Sequence, residues 1–209
     1  MRKYTEYTSR ALIMSFSRMA ANPRTFADAQ RMVFSCHKES TAEDKMSFYD
    51  SWSELYEQLQ RLGFRNLHGV DGSEGMLELA RSKSVYQTLH KCMLHAESLP
   101  ASSGSYDVAV IVGALSEGQV PYTILPELHR VTKPGGFVCM TTRTNTSNQL
   151  YKKQLQAVIE KMEQKGLWER VGVQEIEHWE KSTSVHEDEQ DSKYISGIIY
   201  MYRKSMCQD

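Results

Sequence analysis

At 209 residues, with 40% hydrophobic and 24% charged side chains, the chain has apolar material for one buried core, and a second independent domain is not expected. A formal net charge of −1 and a pI near 6.7 give no electrostatic footprint for nucleic acid or an anionic membrane surface, and no apolar run is long enough to cross a bilayer. Cys36, Cys92, Cys139 and Cys207 stand far apart with no Cys-x-x-Cys spacing, which reads as a reduced, intracellular chain rather than a disulfide or zinc scaffold, expected in the cytoplasm with the nucleus as the alternative.

The first segment sets Arg2, Lys3, Arg10, Arg18 and Arg24 against Glu6 alone before Asp28, and it is rich in Ser and Thr. That pattern is shared with mitochondrial transit peptides, but Glu6 lies inside it and no cleavage pattern is evident. Residues 1–43 are therefore expected to form a partly disordered N-terminal extension, with Met19 as an internal start, ahead of a domain over 44–204. From Asp44 the pattern turns helical: Phe48, Trp52, Leu55, Leu59 and Leu62 make one apolar stripe, and Gly63 stops it. A single helix is expected over 44–62.

Asn66 to Asp71 reads as a short apolar strand ending in an acidic residue. Ser73 is a good N-cap for a helix whose apolar face is Met76, Leu77 and Ala80. Val85 to Leu94 suggests the next strand. Within it, His90-x-Cys92-x-x-His95 offers metal-binding atoms, but a strand sets His95 on the opposite face from Cys92 and no fourth ligand is near, so no metal is expected. Tyr106 to Gly113 is too continuously apolar for a strand with one wet face and fits a parallel strand buried on both. A helix from Pro121 to Val131, the run Lys133-Pro134-Gly135-Gly136 and a strand from Phe137 to Thr142 complete a strand-helix-strand alternation. Pro134 pushes Lys133 out of the helix and the glycines allow the reversal into the strand. Then come a helix from Asn148 to Lys165, with Tyr151, Leu155, Val158, Ile159 and Met162 on one face, and two strands, Val171 to Trp179 and Tyr194 to Tyr202. The acidic run Glu187 to Asp191 between them reads as a solvated hairpin loop.

Four motifs in order, Gly69-Val70-Asp71-Gly72-Ser73-x-x-Met76-Leu77, Ala96-Glu97-x-Leu99-Pro100, Tyr106-Asp107-Val108, and Glu127-Leu128-x-Arg130-Val131-x-Lys133-Pro134-Gly135-Gly136, resemble those of the class I S-adenosylmethionine-dependent methyltransferases. The runs Leu115 to Pro121 and Thr141 to Asn145 narrow the resemblance to one methyltransferase-like branch of that class. The resemblance covers roughly Lys45 to Met162. It implies an α/β fold with a Rossmann-like sheet, mostly parallel with a C-terminal antiparallel hairpin. It also implies S-adenosyl-L-methionine as cofactor and an unknown small molecule or protein as methyl acceptor.

One part of that pattern is missing. A first strand ending in a glycine-rich loop and followed by a helix should precede the Asn66 to Asp71 strand, and a complete βαβ unit takes about thirty residues. The first glycine of this chain is Gly63. The expectation is a shortened variant, joined between Glu57 and Arg61, whose sheet lacks its usual first strand. Either the Val108 to Val112 strand then pairs directly with Asn66 to Asp71, or a gap with unpaired backbone remains and solubility suffers.

By itself Asp71 is explained by Asp-Gly being a common turn pair; the intervals to Tyr106-Asp107 and Pro134-Gly135-Gly136 favour function. The acidic residue at this strand end would accept from the ribose hydroxyls. The resemblance further implies that Gly72, His95, Ala96 and Glu97 border the adenine, with His95 standing where an Asp is usual. It implies that Val112 and Gly113 line the methionine arm. Tyr49 and Tyr56 belong to the implied cap over the cofactor, although aromatic residues at helical spacing usually only pack. Arg143 suits an anionic substrate group or a surface ion pair equally. No catalytic residue is implied, and a non-catalytic binding or regulatory partner is the competing reading.

Overall fold

The computed structural model describes residues 10–15, 66–82, 84, 86–94, 97–181 and 194–206. These form β1 (Arg10–Ser15), β2 (Asn66–Asp71), α1 (Glu74–Ser82), β3 (Thr88–Lys91), β4 (Tyr106–Leu115), a 3-10 turn (Tyr122–Ile124) and α2 (Leu125–Val131). They continue with β5 (Thr132–Arg143), a second 3-10 turn (Thr146–Asn148), α3 (Gln149–Gln164), β6 (Trp168–Lys181) and β7 (Tyr194–Lys204). The expected helix over 44–62 and the acidic run 187–191 lie outside the described residues.

All seven strands form one sheet in the order β3-β2-β1-β4-β5-β7-β6. β2 pairs parallel with β3 and β4 with β5, while β1 is antiparallel to both its neighbours and β7 to both of its own. β2 to β6 therefore run one way, and only β1 and β7 run the other. Two of the six strand pairings are parallel and four antiparallel, so the sheet is mixed rather than the mostly parallel one expected, because the antiparallel β1 lies in its middle. The C-terminal pair β6–β7 is antiparallel as expected.

The expectation of direct β2–β4 pairing or a central gap is corrected. β1 fills the slot, pairing with β2 from Arg10↔Asp71 to Ser15↔Asn66 and with β4 from Leu12↔Val110 to Met14↔Val108. The physical reason is that an empty slot would leave two rows of backbone groups unpaired, and the short apolar run Ala11 to Met14 can satisfy both in either direction. The middle strand thus comes from the segment 1–43 that was expected to be an extension. What stays absent among the described residues is a first strand parallel to its neighbours. The slot is also spanned by side chains: the Tyr106 hydroxyl and His68 Nδ1 are 3.2 Å apart, their rings edge-on at 5.3 Å. They join the two strands that flank β1, which sit about 9.6 Å apart at ordinary strand spacing.

The register sorts the core into two faces. Rows such as Ala109–Val138–Tyr202 and Ile111–Met140–Tyr200 face one way and cluster with Leu125, Leu128, Leu155 and Ile159 from α2 and α3. The row Val110–Cys139–Met201 faces the other way and is equally buried. Trp168 closes the first cluster, stacked on Tyr202 at 4.7 Å. Lys204 is buried beside it and donates from Nζ to the carbonyls of His129 and Thr132 at 2.8 and 2.9 Å, so a cation caps the end of α2.

One buried histidine, His129, and one half-buried, His68, give the fold an acid limit. Burial pulls the His68 ring below the usual histidine range, helped by the nearby His90. Burial also pulls down His129, more strongly than its bond to the Leu167 carbonyl raises it, and Lys204 adds to the lowering. With folded values below the ordinary ~6.5, the unfolded chain binds more protons once pH falls under that value, so stability drops as pH falls. The urea midpoint should therefore be lower at pH 5.5 than at pH 7.5, and His129→Gln should narrow the difference. Equal midpoints at the two pH values would overturn this account.

Candidate active site

β2, β3, β4 and β5 end at one edge of the sheet, and the expected site residues within the described chain lie there. Asp71 closes β2, is 4% exposed, and accepts the Ser73 N–H on Oδ1 at 2.8 Å, which orients the carboxylate over the start of α1. Its carbonyl accepts the Cys92 N–H at 3.1 Å, tying the end of β2 to the turn after β3. Gly72 faces that turn so closely that a Cβ there would lie 2.6 Å from Met93 Sδ. The turn is closed by two reciprocal bonds, Met93 N–H to Glu97 Oε2 at 3.0 Å and Glu97 N–H to the Met93 carbonyl at 3.1 Å. Glu97 thus spends one carboxylate oxygen holding the turn's shape.

Val112 and Gly113 lie in a bulge near the end of β4, where the register with β5 shifts between Ile111 and Leu115. Gly113 has φ +68, which only glycine adopts freely, and its N–H donates to Thr141 Oγ1 at 2.9 Å. Among the described residues a Cβ at Gly113 would meet nothing within 4 Å. Thr141, fully buried on β5, is a contributor that the sequence reading missed; its signal was its place in the Thr141 to Asn145 run. Arg143 ends β5, half-buried, and its carbonyl accepts from Asn148 Nδ2 at 2.8 Å.

Asn148 was also missed, and it staples the two loops at this edge. Its Oδ1 accepts the Glu117 N–H at 2.9 Å while its Nδ2 donates to Thr142 Oγ1 at 3.0 Å. Tyr49, Tyr56, His95 and Ala96 lie outside the described residues. Burial pushes the Cys92 thiol up to about 11, so it is a poor nucleophile and a poor metal ligand near neutral pH. Among the described residues no group of three His, Cys, Asp or Glu side chains could hold a metal ion. No helix among them is long and apolar enough to cross a membrane.

The other diagnostic motifs are scaffold at the opposite edge. Lys133 Nζ is 2.8 Å from Asp107 Oδ2, joining the Tyr-Asp and Lys-Pro-Gly-Gly runs where β4 and β5 begin. A Cβ on Gly136 would stand 2.7 Å from the Asp107 carbonyl and 2.9 Å from that of Lys133, so only glycine fits between these backbones.

Residues 52–140 match the protein family described as methyltransferase domain. Methyltransferase-like protein 27 of Homo sapiens is 56% identical over 112 residues, 54% of this chain and 45% of that protein. Over residues 52–140 the chain is similar to methyltransferase domains. Demethylmenaquinone methyltransferase of Geobacillus stearothermophilus is 38% identical over 84 residues, 38% of this chain and 36% of that protein. The chain therefore spans less than half the length of either relative. The crystal structure of the [4+2]-cyclase SpnF shares its fold with a TM-score of 0.55 at 13% identity, over 93% of this chain and 87% of that one.

Proposed function

We propose that this chain is part of a class I methyltransferase that uses S-adenosyl-L-methionine as its cofactor and acts in the cytoplasm on an unidentified small-molecule or protein acceptor, without a nucleic-acid or membrane partner. The observation that carries this reading is the meeting of Asp71, Gly72, Val112 and Gly113 at the carboxyl ends of β2 and β4, on either side of the β1 slot. In open α/β sheets ligands bind at such an edge. Asp71 suits the ribose hydroxyls, Gly72 and the residues around Met93 and Glu97 suit the adenine, and Gly113, whose front no described residue fills, suits the methionine arm.

The bound cofactor supplies an activated methyl group on a sulfonium. The chain's own residues have three tasks: to hold the acceptor in line, to exclude water, and to leave no competing nucleophile at the edge. Arg143 at the end of β5 is the candidate grip for an anionic acceptor. Fold alone does not fix the reaction, since the cyclase SpnF shares it.

The test is a titration with S-adenosylmethionine to millimolar concentration, followed by amide NMR. The amides of Gly72 and Gly113 should shift, and Asp71→Ala should abolish those shifts. Shifts spread elsewhere, or untouched by Asp71→Ala, would reject the site. A second reading rests on the direction of β1: its amino end, not its carboxyl end, stands at the cofactor edge. This favours a chain that does not transfer methyl groups by itself and serves as a binding or regulatory partner. Methyl transfer by the isolated chain should then be undetectable.

A further inference from the structure

The Glu127-Leu128-x-Arg130 run, part of the pattern that resembles the class I methyltransferases, lies on α2 and is not among the residues assigned above to the cofactor. Its side chains point at the segment that follows the turn 93–97. Arg130 Nε and Nη2 donate to the two Glu127 oxygens, each at 2.8 Å, a bidentate pair. The remaining donors go to the backbone: Nη1 to the Ala101 carbonyl at 2.7 Å and Nη2 to the Leu99 carbonyl at 3.0 Å. Glu127 Oε2 in turn accepts the Leu99 N–H at 2.9 Å. The carbonyls of Arg130 and Val131 then accept the N–H groups of Gly104 and Ser105, each at 2.9 Å. Every bond from the pair itself lands on the backbone of Leu99 or Ala101. Residues 99–105 have no regular secondary structure, so these bonds set their path.

Leu99 lies two residues beyond Glu97, whose carboxylate closes the turn onto Met93, and the turn is pinned at its other end by the bond from Cys92 to Asp71. We propose that Glu127 and Arg130 are positioning residues for the adenine-facing turn, setting the preference of the site for an adenine base through the backbone of Leu99 to Ala101. This rests on the reading of the edge as an S-adenosylmethionine site. Lysine at 130 would keep the charge but could not span a carboxylate and two carbonyls together, because its donors sit on one atom at the end of a flexible stem.

The experiment titrates adenosine and inosine, which differ in the base group that replaces the exocyclic amine, into the wild-type chain and into Arg130→Lys, Glu127→Gln and Asp71→Ala. NMR shifts give the affinities, and a thermal melt of each variant checks folding. Arg130→Lys and Glu127→Gln should weaken adenosine about tenfold, the worth of one hydrogen bond, and leave inosine nearly unchanged. Asp71→Ala should weaken both nucleosides equally. Loss of adenosine and inosine in equal measure in the α2 variants would mean a merely structural role and overturn the proposal, as would a wild-type chain that binds both nucleosides alike. An unchanged preference in the variants overturns it while leaving the cofactor reading intact. A wild-type chain that binds neither nucleoside overturns both. Should Arg130→Lys not fold, Glu127→Gln, which keeps the side chain's shape, carries the comparison.

Discussion

Replacing Ile13 with proline should lower the stability of the folded chain by at least ~3 kcal/mol, a large part of the ~5–15 kcal/mol that holds a domain together. Ile13 sits at the middle of the middle strand, opposite His68 on one side and Ala109 on the other. Proline there removes a ladder donor and sets a ring where a paired strand has no room, which is why it is confined to sheet edges. Ile13→Val, which keeps the backbone and trims one methyl group, should cost no more than ~1.5 kcal/mol. Chemical denaturation of the two variants separates the cases. If β1 were not part of the sheet, neither change would move the midpoint. Direction is checked separately by pairing Met14→Cys with Leu67→Cys, opposite residues in the antiparallel register. A strand running the other way would carry Met14 toward the cofactor edge, away from Leu67, and prevent the cross-link.

The elements from Asn66 onward were legible because each carries its own punctuation. β2 has the bounds expected for it, since Asp71-Gly72 ends it with a turn pair and Ser73 opens a helix. The long apolar run of β4 announced burial on both faces, and α3 kept the helical stripe predicted for it. β1 was not legible, for a physical reason. Ala11 to Met14 is a four-residue apolar run in a basic, Ser- and Thr-rich segment, too short to carry a period of its own. What makes it a strand is a vacancy between β2 and β4, which no local window contains. The site divides in the same way. Asp71, Gly72 and Gly113 were readable because an acid at a strand end and glycines near backbones have narrow uses. Thr141, Asn148 and the Glu127–Arg130 pair act on atoms some 30 residues away in sequence, and their types alone say only that they are polar. Glu97 was placed in the right turn, but one of its oxygens serves that turn.

The reversed strand also sets the expected strength of cofactor binding. In a parallel first strand the chain would leave at the cofactor edge and could offer a glycine-rich loop, its backbone N–H groups and a helix N-terminus to the carboxylate arm of S-adenosylmethionine. Here the chain leaves β1 at Ser15, opposite Asn66, so whatever follows starts at the far edge of the sheet, ~17 Å away at 3.3 Å per residue. No glycine occurs before Gly63 to let a backbone close on a ligand. Hydrogen bonds to a charged group are worth roughly 1.5 to 3 kcal/mol each, so the loss of two removes about 3 to 6 kcal/mol, or about two to four orders of magnitude in affinity. Measured against a complete site of roughly micromolar strength, S-adenosylmethionine should bind this chain with Kd in or above the millimolar range. Adenosine, which lacks the carboxylate arm, should bind nearly as well as the whole cofactor, because the contacts that remain are those of Asp71 and the adenine-facing turn. Calorimetry on both ligands decides it. Micromolar binding of S-adenosylmethionine, with adenosine far weaker, would mean that another segment of the chain grips the carboxylate arm and that the direction of β1 does not limit the site.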